Sequence, residues 1–200
     1  MTTWETIPGE TPIDPSGLKH KGSVTNRKEL AVVEAKNINK AFLKYLAARP
    51  SRRSAPFDYD WLLRLHDEMF GEVWEWAGVV RSEDLNLGVH HYQIRERLVA
   101  LLGDLHSWSG FGTSIEEQAV LLHHKAVQIH PFQNGNGRWA RLLSNLWLKL
   151  HGEPIVAWPD EVLGESSPVR DEYLDAIKAA DRGDYEGLTE LHRRFQEVGE

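Results

Sequence analysis

The stretch "IHPFQNGNGRWAR", from Ile129 to Arg141, lies at the centre of a segment that differs in charge from the rest of the chain. The chain carries 30 acidic residues against 23 basic ones, a formal net charge of -7 at pH 7. From Gln118 to Gly152, however, there is no aspartate or glutamate, whereas four basic residues and four histidines lie there. An acid-free segment around a glycine-rich loop suits the binding of an anion, because nearby carboxylates would repel it.

The order of residues in this loop favours a cradle for phosphate. Pro131 prevents the preceding helix from continuing. Gly135 and Gly137 permit backbone angles that other residues avoid, so that successive N–H groups can point inward. A helix expected to begin at about Arg138 adds the free N–H groups and the partial positive charge of its N-terminus. Phosphate is the usual ligand of such a site.

Two arginines strengthen this interpretation. Arg138 and Arg141 are three residues apart, so they share one face of the first helical turn. Two guanidinium groups suit a chain of phosphates better than a single phosphate. The alternative is that two buried helices simply lack acids, as core helices do. That alternative explains much of the gap but not the pair of arginines beside the Gly-Asn-Gly sequence, so the phosphate site is favoured.

The histidines of the segment allow more than one role. His130 precedes Pro131, and its imidazole can take a proton from an attacking hydroxyl near neutral pH. A histidine that caps the end of a helix is the other reading, and spacing alone does not decide between them. His123 and His130 are seven residues apart and suggest a metal, but the nearby sequence offers no carboxylate or thiolate ligand. Packing is therefore predicted for His123 and His124.

Length and composition limit the class of protein. A chain of 200 residues fits one domain. The absence of cysteine excludes disulfides and thiolate zinc sites. A pI near 5.8 argues against direct nucleic-acid binding. The sequence shows neither a secretory signal nor an apolar run near the roughly 20 residues of a membrane span, so no membrane contact and a cytoplasmic location are expected.

Hydrophobic periodicity predicts a mainly α-helical fold with one small β-hairpin. Residues 1–24 are rich in proline, glycine, serine and threonine and are expected to form an extended arm. Turn-forming residues separate short runs of valine, leucine and tyrosine, which predicts a hairpin over 82–94. Helices are expected over 26–49, 57–74, 95–108, 114–130, 138–152, 167–183 and 184–198.

The loop also resembles a known signature. "HPFQNGNGRWAR" matches the Fic pattern His-x-Phe-x-Asp/Glu-Gly-Asn-Gly-Arg-x-x-Arg at all but one specified position. "MFGEVWEWAGVVR", "LHHKAVQIHPF", "RLLSNLWLKLHGEP" and "DRGDYEGLTELHRRF" look like Fic segments in Fic order. The stretch "GETPIDPSGLKHKGSVTNRKELAVVEAKNI" is similar to one Fic subgroup, the mobile mystery protein B family. The resemblance implies a Fic domain over 25–200, with an active loop over 130–138.

Typical Fic proteins transfer AMP from ATP to a hydroxyl side chain of a target protein, and the resemblance implies the same here. It also implies that the hairpin is a flap that aligns the target segment by strand addition. The roles it implies are general base for His130, anchor of the loop for Phe132, anion hole for Gly135, Asn136 and Gly137, β-phosphate ligand for Arg138 and γ-phosphate ligand for Arg141.

Asn134 departs from the Fic pattern. Most Fic enzymes have aspartate or glutamate at this position, where it holds Mg²⁺ against the phosphates. An amide oxygen can bind Mg²⁺ but carries no charge, so Asn134 is expected to be a weak metal ligand. Three consequences stay open: Mg²⁺ is held mainly by the nucleotide, another phosphate-containing donor is used, or the protein binds a nucleotide without turnover. The intact Gly-Asn-Gly-Arg segment favours nucleotidyl transfer, because Fic-like kinases alter it.

Regulation is implied by two further resemblances. Many Fic enzymes are restrained by a helix of pattern Ser/Thr-x-x-x-Glu-Gly/Asn, and Thr25 and Glu29 have that spacing, although Leu30 replaces the last residue. A plain first-turn glutamate is the alternative for Glu29. The subgroup also implies a small helix-turn-helix companion protein, in a bacterial two-gene module of the toxin–antitoxin kind.

Overall fold

Helices account for most of the chain. The computed structural model describes residues 13–19, 22–159, 163–164 and 166–196. This confirms the predicted mainly α-helical class. The helices are α1 (Arg27–Leu46), α2 (Tyr59–Phe70), α3 (Ile94–Trp108), α4 (Ile115–Ile129), α5 (Asn136–His151), α6 (Pro168–Ala180) and α7 (Glu186–Arg194).

Local capping residues set the helix ends. The Asp58 side chain accepts a hydrogen bond from the Trp61 N–H at 2.8 Å and starts α2. Ser114 and Glu117 form the expected capping box of α4. Gly152 ends α5 in the left-handed conformation, with φ 88°. Helix α2 ends at Phe70, with Gly71 as its C-cap.

Helices α4 and α5 form the centre of the molecule and pack against each other. Most of α5 is buried, including Trp139 and Trp147. The Phe57 ring lies 4.8 Å from Trp61 and 5.0 Å from Trp147, measured between ring centroids. These aromatic contacts tie α2 to α5. The segment between α4 and α5 is therefore held between two firmly packed helices.

The predicted β-hairpin over 82–94 was wrong. Residues 82–90 have no paired strands, and a 3₁₀ turn over His91–Gln93 leads directly into α3. Side chains instead form hydrogen bonds with backbone groups that would pair between the two strands of a hairpin. Arg81 donates to the carbonyls of Glu83, at 2.8 Å, and of Val89, and Asp84 accepts from the His91 N–H at 2.7 Å. The turn formers were real, but they form an irregular loop.

The described end of the predicted arm is docked on the domain. Leu18 is buried and forms an isolated antiparallel bridge with Trp74. The Lys19 N–H donates to the Val73 carbonyl at 2.9 Å, and the Glu75 N–H donates to the Gly17 carbonyl at 2.9 Å. Residues 1–12 lie outside the described part of the chain, so the arm and the domain boundary at 24 stay predictions. None of the described helices combines the length and the apolar character that a membrane crossing requires.

Candidate active site

The loop between α4 and α5 is closed by one asparagine side chain. Asn136 accepts a hydrogen bond from the Phe132 N–H at 2.9 Å and donates one to the Phe132 carbonyl at 2.8 Å. His130 and Gly135 lie on either side of this clamp, both in the left-handed conformation, with φ 51° and 77°. The Asn136 side chain thus fixes the loop, a role beyond the anion hole that the resemblance implied.

Phe132 anchors the loop in the core, and a buried histidine lies beneath it. The Phe132 ring is fully buried and stacks on His66, with a centroid distance of 3.7 Å and an interplanar angle of 14°. His66 Nδ1 accepts from the Gly78 N–H at 3.0 Å. Its Nε2 therefore carries the proton and donates to the Asn134 carbonyl at 3.0 Å. Burial lowers the pKa of His66 to about 3, so the ring is neutral.

Sequence reasoning missed His66. The signal was its position on the buried face of α2, four residues after Leu62 and three before Met69. A histidine among such apolar residues needs a polar partner. Its partners, Gly78 and Asn134, lie 12 and 68 residues away in sequence.

The loop tolerates no side chain at Gly135. Its φ of 77° is unfavourable for any other residue, and a Cβ there would lie 2.6 Å from the Phe70 ring. We expect Gly135→Ala to lower the free energy of unfolding by about 1–3 kcal/mol. Urea unfolding followed by circular dichroism measures this loss. Gly137→Ala is the matched control, because a Cβ there meets its nearest neighbour at 3.5 Å, and an equal loss in the control would contradict the argument.

Arg138 is paired with a carboxylate from α1. Its Nη1 donates to Glu34 Oε2 at 2.6 Å, and the Trp74 Nε1–H donates to Glu34 Oε1 at 2.6 Å. The guanidinium group also lies 4.8 Å from the centroid of the Phe70 ring. Glu34 is buried, so a nucleotide phosphate that binds Arg138 shares it with an existing ion pair.

Glu29 lies five residues before Glu34, and its carboxylate forms hydrogen bonds with Thr25, four residues earlier in the chain. Its carboxylate accepts from the Thr25 N–H at 2.7 Å and from the Thr25 hydroxyl at 2.9 Å. The Thr25 backbone bond is the main cause that lowers the pKa of Glu29. The α1 carboxylate in contact with a loop arginine is therefore Glu34, which sequence reasoning did not select.

Arg141 lies at the edge of a buried polar network. It is buried, and its guanidinium group lies 5.6 Å from the centroid of the Tyr173 ring. His123 Nε2 is 3.1 Å from the Tyr173 hydroxyl, and His123 Nδ1 is 3.0 Å from His192 Nε2. His124 binds Asp181 at 2.9 Å. Both histidines of α4 thus pack with polar partners, and the network links Arg141 to helices α4, α6 and α7.

The catalytic candidate His130 is held by Arg81. The fully buried Arg81 side chain donates from Nε to the His130 carbonyl at 2.8 Å, and the Arg81 N–H donates to the Pro131 carbonyl at 3.0 Å. Burial, and after it the charge of Arg81, lower the pKa of His130 to about 4. Gly88 also lies close to His130, since a Cβ at position 88 would be 2.5 Å from His130 Cβ. At neutral pH His130 is therefore in the form that accepts a proton.

Removal of the Arg81 charge is expected to raise the pKa of His130. In Arg81→Gln the nearby cation is lost while burial persists, so the pKa rises from about 4 but stays below the usual 6.5. Loss of the guanidinium group also leaves the carbonyls of His130, Glu83 and Val89 without their donor. This loss lowers the free energy of unfolding by about 1–3 kcal/mol. NMR titration of the imidazole and urea unfolding measure the two effects. Arg64→Gln, at an exposed arginine of α2, is the control; an unchanged His130 pKa in Arg81→Gln would contradict the assignment.

A large cavity brings the predicted residues together. Its volume is about 1700 Å³, and it opens between the loop and helices α1, α3 and α6. That is larger than the roughly 300–1,000 Å³ of a typical small-ligand pocket, so it has room for a nucleotide and part of a second molecule. Phe132 lies behind the wall as an anchor. The predicted residues in the wall are His130, Asn134, Gly135, Asn136, Gly137, Arg138 and Arg141.

The described residues do not fit a magnesium ion held by the protein. Asn134 Oδ1 accepts a hydrogen bond from the Gly135 N–H at 2.6 Å, and as a neutral amide oxygen it brings no charge to a cation. Mg²⁺ prefers carboxylate anchors, and Glu34 is paired with Arg138. Among the described residues, no group of three or more histidines, aspartates and glutamates is arranged to hold a metal.

Comparisons with known proteins agree with this geometry. Residues 56–148 match the model of the Fic/DOC family. The chain is 30% identical over 139 residues to "Protein adenylyltransferase fic-1" of Caenorhabditis briggsae, covering 67% of this chain and 26% of that protein. It is 33% identical over 128 residues to "Protein adenylyltransferase Fic" of Drosophila willistoni, covering 62% and 24%. The chain thus spans about a quarter of the length of these animal relatives.

Solved structures share the fold. A fragment of Fic-1 from C. elegans superposes with a TM-score of 0.67 at 25% identity, covering 96% of this chain and 51% of that chain. The BepC protein of Bartonella tribocorum, solved with AMPPNP, has a TM-score of 0.67 at 19% identity, covering 97% and 96%; at that identity the likeness concerns the fold alone. The matched segment and the curated relatives show that the chain belongs to the Fic/DOC family.

Proposed function

We propose that this chain transfers AMP from ATP to a hydroxyl side chain of a target protein. The observation that carries the proposal is the placement of His130 and the Gly135–Arg141 segment in one wall of the large cavity. A hydroxyl beside His130 and a triphosphate on the arginines can meet there. The names of the curated relatives, protein adenylyltransferases, support the same reaction.

In the proposed step, the target hydroxyl oxygen attacks the α-phosphorus of ATP. The bond from that phosphorus to the oxygen bridging the α- and β-phosphates breaks, pyrophosphate leaves, and AMP remains on the target oxygen. His130 takes the hydroxyl proton, which its low pKa permits because the imidazole is neutral. The loop N–H groups, Arg138 and Arg141 stabilise the charge on the phosphates.

ATP is the nucleotide that we propose as donor. The Mg²⁺ implied by the resemblance would arrive bound to the nucleotide phosphates, since Asn134 stands where most Fic enzymes have a carboxylate. The target is proposed to lie against the loop over 82–90 and its surroundings, where Leu87 and Tyr92 are 40% and 71% exposed. The helix-turn-helix companion, the bacterial source and the cytoplasmic location stay predictions from the sequence.

ATP labelled at one position or the other tests the reaction. Purified protein is incubated with a cell lysate and ATP labelled on either the α- or the γ-phosphate, and the proteins are separated by electrophoresis. AMP transfer labels a protein band from α-labelled ATP and none from γ-labelled ATP. Label from the γ-position alone would instead indicate a kinase and would overturn the proposal.

A nucleotide-binding regulatory protein without turnover is the second candidate. Asn134 favours it, because the acidic residue of active Fic enzymes is missing. This candidate predicts ATP binding by calorimetry with no labelled protein in any lane. Labelling from the α-position excludes it.

A further inference from the structure

We infer that His66 is a positioning residue of the proposed active site, which fixes the peptide group between Asn134 and Gly135 and so keeps its carbonyl oxygen away from the phosphates. The inference rests on the proposed nucleotide site. His66 is fully buried behind the loop and is absent from the described residues that line the cavity. It therefore acts through the loop and does not touch the nucleotide.

Two hydrogen bonds define how the His66 ring is placed. Nδ1 lies 3.0 Å from the nitrogen of Gly78, whose N–H can only donate, so Nδ1 is the acceptor. Because burial lowers the pKa of His66 to about 3, the ring is neutral and carries its proton on Nε2. Nε2 then donates to the Asn134 carbonyl at 3.0 Å. The stack on Phe132, with a centroid distance of 3.7 Å, holds the ring from its face.

The bond to the Asn134 carbonyl sets the direction of a whole peptide group. The atoms of a trans peptide lie in one plane, with the C=O and the N–H pointing in opposite directions. The carbonyl is directed at the buried His66, so the Gly135 N–H points the other way, where it donates to Asn134 Oδ1 at 2.6 Å. The two bonds thus hold the two sides of the same peptide group.

The glycine at 135 makes such a restraint necessary. Rotation of this peptide group changes ψ of Asn134 and φ of Gly135, and glycine adopts φ of either sign with similar ease. Gly135 has φ 77° in the structure. A rotated peptide would direct its carbonyl oxygen away from the core, towards the cavity that Asn134 and Gly135 line. The partial negative charge of that oxygen would repel the phosphates of a nucleotide.

The asparagine clamp of the loop does not supply this restraint. Asn136 binds the N–H and the carbonyl of Phe132, which lie before the Asn134–Gly135 peptide. His66 binds the carbonyl of that peptide itself. The loop is therefore fixed at two points, by Asn136 from within the loop and by His66 from α2.

Calorimetric titration with ATP tests the inference in wild type, His66→Gln and His66→Asn. The NH₂ of glutamine can take the place of Nε2 and donate to the Asn134 carbonyl, whereas the shorter asparagine can only place its oxygen near Nδ1, facing Gly78. Both variants lose the ring stack on Phe132, and thermal melting gives a temperature at which both are folded. His66→Asn is expected to bind ATP at least about tenfold more weakly than wild type, and His66→Gln within about threefold of it. The rate of α-label transfer is expected to follow the same order.

Nitrogen NMR of the wild-type imidazole is the second measurement, and it needs no substitution. Nε2 of His66 is expected to carry the proton and Nδ1 to carry none. A proton on Nδ1 would overturn the inference whether or not the variants fold, because the ring could not then donate to the Asn134 carbonyl.

The titrations can overturn the inference independently. Equal losses of ATP affinity in the two variants, or a larger loss in His66→Gln, would show that the histidine only fills space. Absence of ATP binding by wild type would remove the nucleotide site and the inference with it. ATP binding in the expected order, but without transfer of α-label, would defeat the proposed reaction and leave the role of His66 intact.

Discussion

Replacement of His130 by alanine is expected to lower the rate of AMP transfer by about a hundred- to ten-thousand-fold, the usual contribution of a general base. The affinity for ATP is expected to change little, because the loop N–H groups and the arginines hold the phosphates without the imidazole. Single-turnover labelling with α-labelled ATP measures the rate, and calorimetric titration measures the affinity. This combination separates a base from a residue that only shapes the loop.

The pH dependence of the wild-type rate sharpens this prediction. Because the pKa of His130 is about 4, the imidazole is already neutral at pH 6, and the rate should be flat from pH 6 to pH 8. A histidine at its ordinary pKa of about 6.5 would instead lose most of its rate between pH 7 and pH 6. His106→Ala, which removes an exposed histidine of α3, is the control. A His130→Ala enzyme that keeps a tenth of the rate would show that another group takes the proton.

Features that depend on residues within one turn could be predicted from the sequence. The capping box of Ser114 and Glu117 and the end of α5 at Gly152 are of this kind. The loop belongs with them, because Pro131 and Gly135 determine locally where one helix stops and the next begins, although α5 begins at Asn136, two residues before the predicted Arg138. Such signals need no knowledge of the rest of the fold.

Features that depend on distant pairs could not be predicted. Glu34 and Arg138 are 104 residues apart, and Arg81 is 49 residues from His130. Nothing in the sequence around Glu34 distinguishes it from Glu29, which has the spacing of a regulatory glutamate and yet binds Thr25. The tertiary packing of α1 decides which of its two carboxylates contacts Arg138.

The wrong hairpin has a similar origin. Alternating apolar residues and turn formers between 82 and 94 form two strands only if the backbone N–H and C=O groups of this segment pair with one another. Arg81 and Asp84 supply other partners for that backbone, and the Val89 N–H donates to the Ile129 carbonyl at 3.4 Å. The segment is thus hydrogen-bonded to the end of α4 rather than folded back on itself.

Acid is expected to unfold this protein between about pH 5 and pH 3, because three histidines are buried in neutral form. His66 and His123 are fully buried, and His192 is 7% exposed. Burial lowers the pKa of His66 and of His192 to about 3, and it lowers the pKa of His123 well below the usual value. Burial is the main cause for His123, and the charge of Arg141 adds to it.

The sign of the effect follows from proton binding. Between pH 6.5 and about pH 4 each of these histidines is protonated in the unfolded chain and neutral in the folded one. The stability that they contribute is therefore complete above pH 6.5 and is lost as the pH falls. Each loses about 1.4 kcal/mol per pH unit, and the three together about 4 kcal/mol per pH unit. A domain with an ordinary stability of about 5–15 kcal/mol is exhausted within a few pH units.

Urea unfolding at a series of pH values measures this slope. The variant His123→Gln has one fewer buried group that binds a proton on unfolding, so the slope of the free energy of unfolding against pH should fall by about a third. The lost bonds to Tyr173 and His192 lower the stability at pH 7 as well, but they do not change this expectation for the slope. His106→Gln, at an exposed position of α3, is the control for removing an imidazole and should leave the slope unchanged. A slope below about 1 kcal/mol per pH unit would show that these histidines accept protons inside the fold. The polar network behind Arg141 would then be charged in acid, and the neutral hydrogen bonds described for it would be wrong.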